Sequence, residues 1–322
     1  MKLSKVKSNN NSKKEQKVHK VPEERGIHSN VLPMKAPAVG VELSDNAQPM
    51  EKIPSAMGIV EFVEKRLQNS SLFITLDYDG TLAPIVDRPE LTVFSSEMKH
   101  ALKKLAMRFP VAVISGRDLK EIKDLIKLDI VVFAGSHGFD ILSPHGEISY
   151  QVGKEYLPIL DRAQKFLEEK FKDIEGALLE RKKFSLALHY RLVPSDRVKE
   201  VEFLVDRVLA REPKLKKGLG KMVLELKPNL DWDKGKAIIW LVKAIGLNIE
   251  RTLLLYIGDD ITDEDAFKAI RHTGLGIVVK DGEKERKSLA EYSLENTLEV
   301  RDFLEKLAKL SSKNKKHDDL ER

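Results

Sequence analysis

The sequence contains no cysteine. That absence excludes a disulfide framework, a cysteine metal site and a thiol nucleophile, and it suits a reducing, cytoplasmic compartment. No apolar run approaches the roughly 20 residues that a membrane helix needs. The N-terminal lysines are not followed by the apolar stretch of a secretory signal. A strong charge bias is also missing from most of the chain. The net charge is +5, but residues 1–52 carry +4 of it and the remaining 270 residues only +1. The bulk of the protein therefore shows no global attraction to nucleic acid.

What is present is a chain of 322 residues with 42% hydrophobic side chains, enough for a substantial core. That length suggests two domains, or one with a large insertion. Residues 1–52 begin with "MKLSKVKSNNNSKKEQKVHK", a polar stretch that buries too little apolar area to offset its ordering entropy, and read as a disordered basic leader. Its role is either that of a solvated tail or that of an electrostatic tether. Order is expected from Ser55, a helix cap, with Ile59, Phe62, Val63 and Leu67 on one apolar face. "SLFITLDYDG", "VAVISGR" and "IVVFAGSHG" then read as strands separated by amphipathic helices. The alternation resumes with the helix "DKGKAIIWLVKAIGL", the strand "TLLLYIGDD", the helix "TDEDAFKAIR" and the strand "LGIVVK". Between these stretches lies a different grammar of helix, two strands, helix and strand. The expected fold is α/β, a Rossmann-like doubly wound parallel sheet with an inserted α+β cap domain. Core segments are expected at 53–142 and 227–310, the cap at 143–226 and a polar tail at 311–322. Hinges are expected at 142–144 and 227–230, where Pro, Asn and Ser cluster.

Four constellations fall at the ends of predicted core strands, the edge where open parallel sheets bind ligands. In "LDYDGTLAP", Asp77 and Asp79 lie two apart where a strand stops. One carboxylate could attack an electrophile while the other handles a proton. Gly80 allows a sharp turn with free N–H groups. In "VISGR", Ser115 opens a helix and suits a phosphate, though alone it also reads as a plain cap. Arg117 could clamp an anion or sit on the surface. In "DWDKGKA", Lys234 could neutralise a phosphate and a carboxylate together, or be a surface lysine. In "YIGDDITDED", Asp259, Asp260 and Asp263 repel one another unless a cation is present, and oxygen-only ligands favour Mg²⁺.

This order of motifs resembles the haloacid dehalogenase superfamily of phosphatases over residues 70–310. The resemblance implies that Asp77 is the nucleophile and Asp79 the general acid and base, with Ser115 and Lys234 holding the phosphate. Mg²⁺ would be bound by Asp77, the Asp79 carbonyl oxygen and Asp259, supported by Asp260 and Asp263. The insertion occupies the second cap position of the superfamily, typical of sugar-phosphate phosphatases. Within that group "LDYDGTLAPI", "VISGR", "AGSHGFDI", "LALHYR", "GKMVLELKP", "DKGKAI" and "YIGDDITDEDAF" are similar to the trehalose-6-phosphate phosphatases. That similarity implies a sugar pocket lined by Gly135, His137 and Gly138 from the core and by Arg191, Lys221, Glu225 and Lys227 from the cap. Glu225 and Lys227 alternate on one strand and so share a face. His137 also reads as a turn or core histidine, and Arg191 as the partner of a cap carboxylate. Asp231 stands where the family more often has Asn. The alternatives are a phosphatase of sucrose phosphate or a glycosylglycerate phosphate, and a non-catalytic sugar-phosphate sensor. Association with a trehalose-phosphate synthase is a further implication of the resemblance.

Overall fold

The computed structural model describes residues 47–86, 92–220, 222–282 and 286–310. In chain order the strands are β1 (Gln48–Pro49), β2 (Ser71–Leu76), β3 (Val111–Ile114), β4 (Val132–Gly135), β5 (Asp140–Leu142), β6 (Ser149–Gln151), β7 (Leu178–Lys182), β8 (Ser185–His189), β9 (Leu215–Gly220), β10 (Val223–Pro228), β11 (Thr252–Gly258), β12 (Gly274–Val279), β13 (Lys287–Ser288) and β14 (Tyr292–Leu294). The helices are α1 (Val60–Arg66), α2 (Ser96–Ala106), α3 (Leu119–Ile126), α4 (Leu157–Phe171), α5 (Val198–Arg211), α6 (Lys234–Ala244), α7 (Glu264–Ile270) and α8 (Thr297–Leu307).

The large sheet has the order β14-β12-β11-β2-β3-β4-β5-β6. Its first six strands are parallel, and β5 and β6 extend it antiparallel. Strand order runs outward in both directions from the β2–β11 pair, which makes that pair the topological switch point. Alternation along β2 divides its side chains between two cores. Leu72, Ile74 and Leu76 pack with α2, α3 and α8, while Phe73 packs with α6 and α7.

The inserted unit is a second, antiparallel sheet of order β7-β8-β10-β9. Leu186, Leu188, Leu224 and Leu226 pack one of its faces against Leu160 and Leu167 of α4 and Val201 and Val205 of α5. Each such side chain contributes about 1.5–3 kcal/mol on burial, so the unit holds together by its own core. The opposite face takes the alternate residues. Glu180 stands level with Ala187 and Glu225, and Lys216 opposite Lys227.

The structure departs from the sequence expectations in four places. Residues 47–52 are not part of a disordered leader: β1 pairs with β13, and Met50 is fully buried. Residues 1–46 and 311–322 lie outside the described residues. Ser55 caps a 3-10 turn rather than a long helix, and α1 starts only at Val60. Ile59, Val63 and Leu67, spaced by four, take its buried side, and Phe62 is exposed. The insert has a fourth strand, β9, whose "LKKGLG" carries too little apolar alternation to signal a strand. Lastly, residues 142–144 belong to the β5–β6 hairpin of the large sheet, so the chain leaves that sheet after Gln151, near Gly153 with its φ of +73°.

Candidate active site

β2 ends beside β11, and the Asp77 N–H continues their ladder by donating to the Ile257 carbonyl at 2.9 Å. This register puts Asp77 at the switch point, next to the loop that carries Asp259 and Asp263. Asp233 caps α6 by accepting the Lys236 N–H at 2.8 Å, which fixes Lys234 in the first helical turn. A cation there opposes the helix dipole. It is held by carboxylates instead: Lys234 Nζ lies 3.0 Å from Asp77 Oδ1 and 2.6 Å from Asp263 Oδ1, with all three side chains buried. Asp263 Oδ1 also accepts from the Tyr256 hydroxyl at 2.5 Å, and its Oδ2 accepts the Asp260 N–H at 2.8 Å.

Burial pushes the Asp77 carboxyl up to about 7, against the pull of Lys234. Burial, with the charges of Asp77 and Asp263, pushes Asp259 well above the ordinary carboxylate range. Lys234 is disfavoured as a cation by burial, yet Asp263 and Asp77 hold its pKa above the usual lysine value. One lysine therefore does not offset the local negative charge. Asp77, Asp259 and Asp263 each present a carboxylate oxygen within 4.8 Å of the others. Both Asp263 oxygens already accept hydrogen bonds, so Asp77 and Asp259 have the lone pairs to give. An all-oxygen donor set with unrelieved repulsion fits a hard divalent cation. Asp260 is exposed and its carboxylate stands outside this group.

The Asp79 carboxylate turns away from the cluster. Arg117 donates to it through Nε at 2.8 Å and Nη2 at 2.7 Å, a bidentate fork. Arg117 also donates to Glu121 and, at 2.9 Å, to Thr92, and it lies over the Tyr78 ring. With its side chain 7% exposed against 39% for Asp79, Arg117 is a buried partner of Asp79 and not the open anion clamp suggested by the sequence. Ser115 is buried just beyond β3, where its hydroxyl accepts the Arg117 N–H at 3.1 Å.

Gly80 adopts a φ of +74°, and a Cβ there would lie 2.1 Å from the Asp259 carboxylate. Gly80→Ala is therefore expected to destabilise the protein by roughly 1–3 kcal/mol and to displace Asp259. Thermal denaturation checks this: a melting temperature equal to that of the wild type would show that the turn tolerates a side chain.

His137 bridges this floor to the insert. Its N–H donates to the Ser115 carbonyl at 2.8 Å, and burial pushes its pKa down to about 3, so the imidazole is neutral. The electrostatic partners of His137 include Glu225, Lys227 and Lys182 of the insert. Glu225 accepts from the Ser185 hydroxyl at 2.7 Å and lies 3.9 Å from Lys227. Gly135 and Gly138 are closely packed against neighbouring elements. A Cβ at Gly135 would meet the Leu119 backbone nitrogen at 2.3 Å, and one at Gly138 the Ala237 Cβ at 2.5 Å. Arg191 is exposed in the turn after β8, four residues beyond Ala187, which stands opposite Glu225. Lys221 lies outside the described residues.

The polar face of the insert also carries Glu180, Lys182 and Lys216, which the sequence reading did not single out. Glu180 lies 2.9 Å from His189. Alternation within "LLERK" places Glu180 and Lys182 on one face, but nothing in the sequence says which face looks toward the large sheet.

Comparison with known proteins bears on this arrangement. The trehalose-phosphatase family profile matches residues 75–297. A probable trehalose-phosphate phosphatase D of Arabidopsis thaliana is 36% identical over 91% of this chain and 85% of its own. Trehalose 6-phosphate phosphatase RA3 of Zea mays is 38% identical over 80% of this chain and 76% of its own. Among solved structures, a trehalose-6-phosphate phosphatase related protein superposes with a TM-score of 0.63 at 28% identity, covering 73% of this chain and 96% of that one. With the Asp77, Asp79, Ser115, Lys234 and Asp259 segments all inside the matched region, the chain belongs to the trehalose-phosphatase family, whose members are phosphoric monoester hydrolases.

Proposed function

We propose that this protein hydrolyses trehalose 6-phosphate to trehalose and phosphate with Mg²⁺ as its cofactor. The observation that carries the reading is the buried Asp77–Lys234–Asp263 group with Asp259 beside it at the switch point. There a nucleophile and a fixed cation lie 3.0 Å apart next to carboxylates that call for a metal. In this reading an Asp77 oxygen attacks phosphorus, and the bond from phosphorus to the sugar oxygen breaks. Asp79 gives that oxygen its proton. Asp79 then takes a proton from water, the water oxygen attacks the aspartyl phosphate, and phosphate leaves Asp77 as a carboxylate. Ser115 and Lys234 hold the phosphoryl oxygens through these steps, and Asp79 turns out of the Arg117 fork to reach the leaving oxygen. Asp77, Asp259 and the Asp79 carbonyl would hold the Mg²⁺, with Asp260 and Asp263 in support. When bound, the ion supplies positive charge against the phosphoryl oxygens.

The inserted unit, from Gly153 to Pro228, serves as a cap whose polar face, with Glu225 and Lys227, receives the sugar above His137, and Lys221 is assigned to the same pocket. Closing it would exclude water and bulky phosphoproteins. A cytoplasmic location and association with a trehalose-phosphate synthase belong to the same proposal.

Phosphate release from trehalose 6-phosphate, sucrose 6-phosphate, glucose 6-phosphate and a glycosylglycerate phosphate, in Mg²⁺ and in chelator, tests it. Trehalose 6-phosphate is expected to dominate, and only with Mg²⁺. Preference for another sugar would keep the Asp77 chemistry and discard the cap assignments. Asp79→Asn is expected to slow turnover on the order of 10²–10⁴-fold while sparing binding. Near wild-type activity in that variant would reject the acid–base role.

A further inference from the structure

The inserted unit is joined to the large sheet by two crossings of the chain, near Gly153 and after Pro228, and it makes a third, non-covalent connection through the tip of its β7–β8 hairpin. Asp118 stands at the N-cap of α3 with extended backbone angles, the place where an aspartate ordinarily accepts a helix N–H. The caps of α2, α6 and α8 do so through Ser95, Asp233 and Asn296. Asp118 does not. Its carboxylate accepts the Ser136 hydroxyl at 2.9 Å, and both its oxygens lie 3.0 Å from the backbone nitrogen of Lys183, at the hairpin tip. The Lys183 side chain reaches a second carboxylate of the large sheet, donating to Asp140 Oδ2 at 2.5 Å. The other Asp140 oxygen is held by Gln151 Nε2 at 2.8 Å. The next residue of the tip, Phe184, is buried outside the insert's own core and stacks on Phe139 with ring centroids 5.7 Å apart.

We propose that Asp118, Asp140 and Lys183 form a latch that holds the inserted unit over Asp77, and that its opening and closing set sugar-phosphate entry and product release. This rests on the reading of the unit as a cap. The bonding supports a contact made to be broken. The Phe184–Phe139 stack is buried, but the ion pair beside it is open on one side: the Lys183 side chain is 38% exposed, so water and salt can compete for it. The latch also shares a turn with the chemistry, because Arg117, next to Asp118, grips Asp79. These are positioning residues that touch no reacting atom.

Two measurements test the latch. In hydrogen exchange, the peptide containing the Lys183 amide should lose protection in Asp118→Ala. Since Asp118 makes no side-chain cap, α3 should keep its protection in the same variant. Unchanged exchange at Lys183 would overturn the proposal, and this readout needs no substrate. In kinetics, Lys183→Met and Asp140→Asn should raise KM for trehalose 6-phosphate roughly threefold to tenfold, the scale of one partly exposed charge-assisted hydrogen bond. Hydrolysis of p-nitrophenyl phosphate, too small to need the cap, should be unchanged, and Lys183→Arg should restore KM. Equal KM values in all variants, or parallel loss with both substrates, would reject the latch. If the wild type instead ignores trehalose 6-phosphate while the exchange result holds, the substrate reading fails and the latch stands.

Discussion

Asp77→Asn is expected to lower phosphate release by a factor on the order of 10⁴–10⁶ while leaving the protein as stable as the wild type or more so. Removing a nucleophile that acts as one unit with its partners has effects of that size. The stability side follows from the electrostatics. Asp77 is buried, its carboxyl is pushed up to about 7, and its charge raises Asp259 as well. The amide is isosteric and still offers an oxygen to Lys234 Nζ, 3.0 Å away. It removes one of three mutually repelling charges, so the variant should melt at or above the wild-type temperature in the absence of metal. Acid quenching during turnover of ³²P-labelled substrate gives the second readout. Wild-type protein should retain label on the chain and the variant none. Residual activity within tenfold of wild type, or label trapped on the variant, would place the nucleophile elsewhere.

Lys234→Met carries the largest expected loss of stability. Lys234 is 2% exposed and is the shared partner of Asp77 and Asp263. Removing one member of a buried ion pair strands the others, at a cost of about 3–5 kcal/mol. For a domain of this size that is a fall in melting temperature on the order of 10 °C. Activity should fall too, because Asp77 without its neighbouring cation moves further above about 7 and spends more time protonated at neutral pH. The coupling can be isolated: Asp77→Asn combined with Lys234→Met should be less destabilised than Lys234→Met alone, since one stranded charge has been removed. An unchanged melting temperature in Lys234→Met would mean that solvent or another group already compensates the two aspartates.

The sites of these two variants were legible in the sequence for a specific reason. Asp77 and Lys234 each occupy the last residue of a strand signal or the first of a helix signal, and those signals are local. An apolar run that stops at an aspartate, or an Asp-Lys pair opening an amphipathic segment, needs no knowledge of the rest of the chain. The parallel sheet, its two-sided core and the inserted unit followed from the same kind of evidence. What escaped was weakly patterned, such as the Gly- and Lys-rich β9 and the three-residue strands β5 and β6, which carry too few residues to show a period.

The sequence by itself therefore determined the fold class, the order of the motifs and which residues stand at strand ends, because backbone periodicity and turn chemistry act over a few neighbours. Only the tertiary structure decided what each side chain does there. Asp79 meets Arg117, 38 residues away, and Asp263 meets Lys234, 29 residues away. Nothing in either local stretch foretells which carboxylate will be held by a guanidinium and which by an ammonium. The same holds for Asp118, which reads as a helix cap and becomes an anchor for Lys183, 65 residues away. A charged side chain at a strand edge has several partners within reach of its rotamers. The choice among them is made by desolvation and geometry, and both come into being only when the sheet, its helices and the inserted unit close around it.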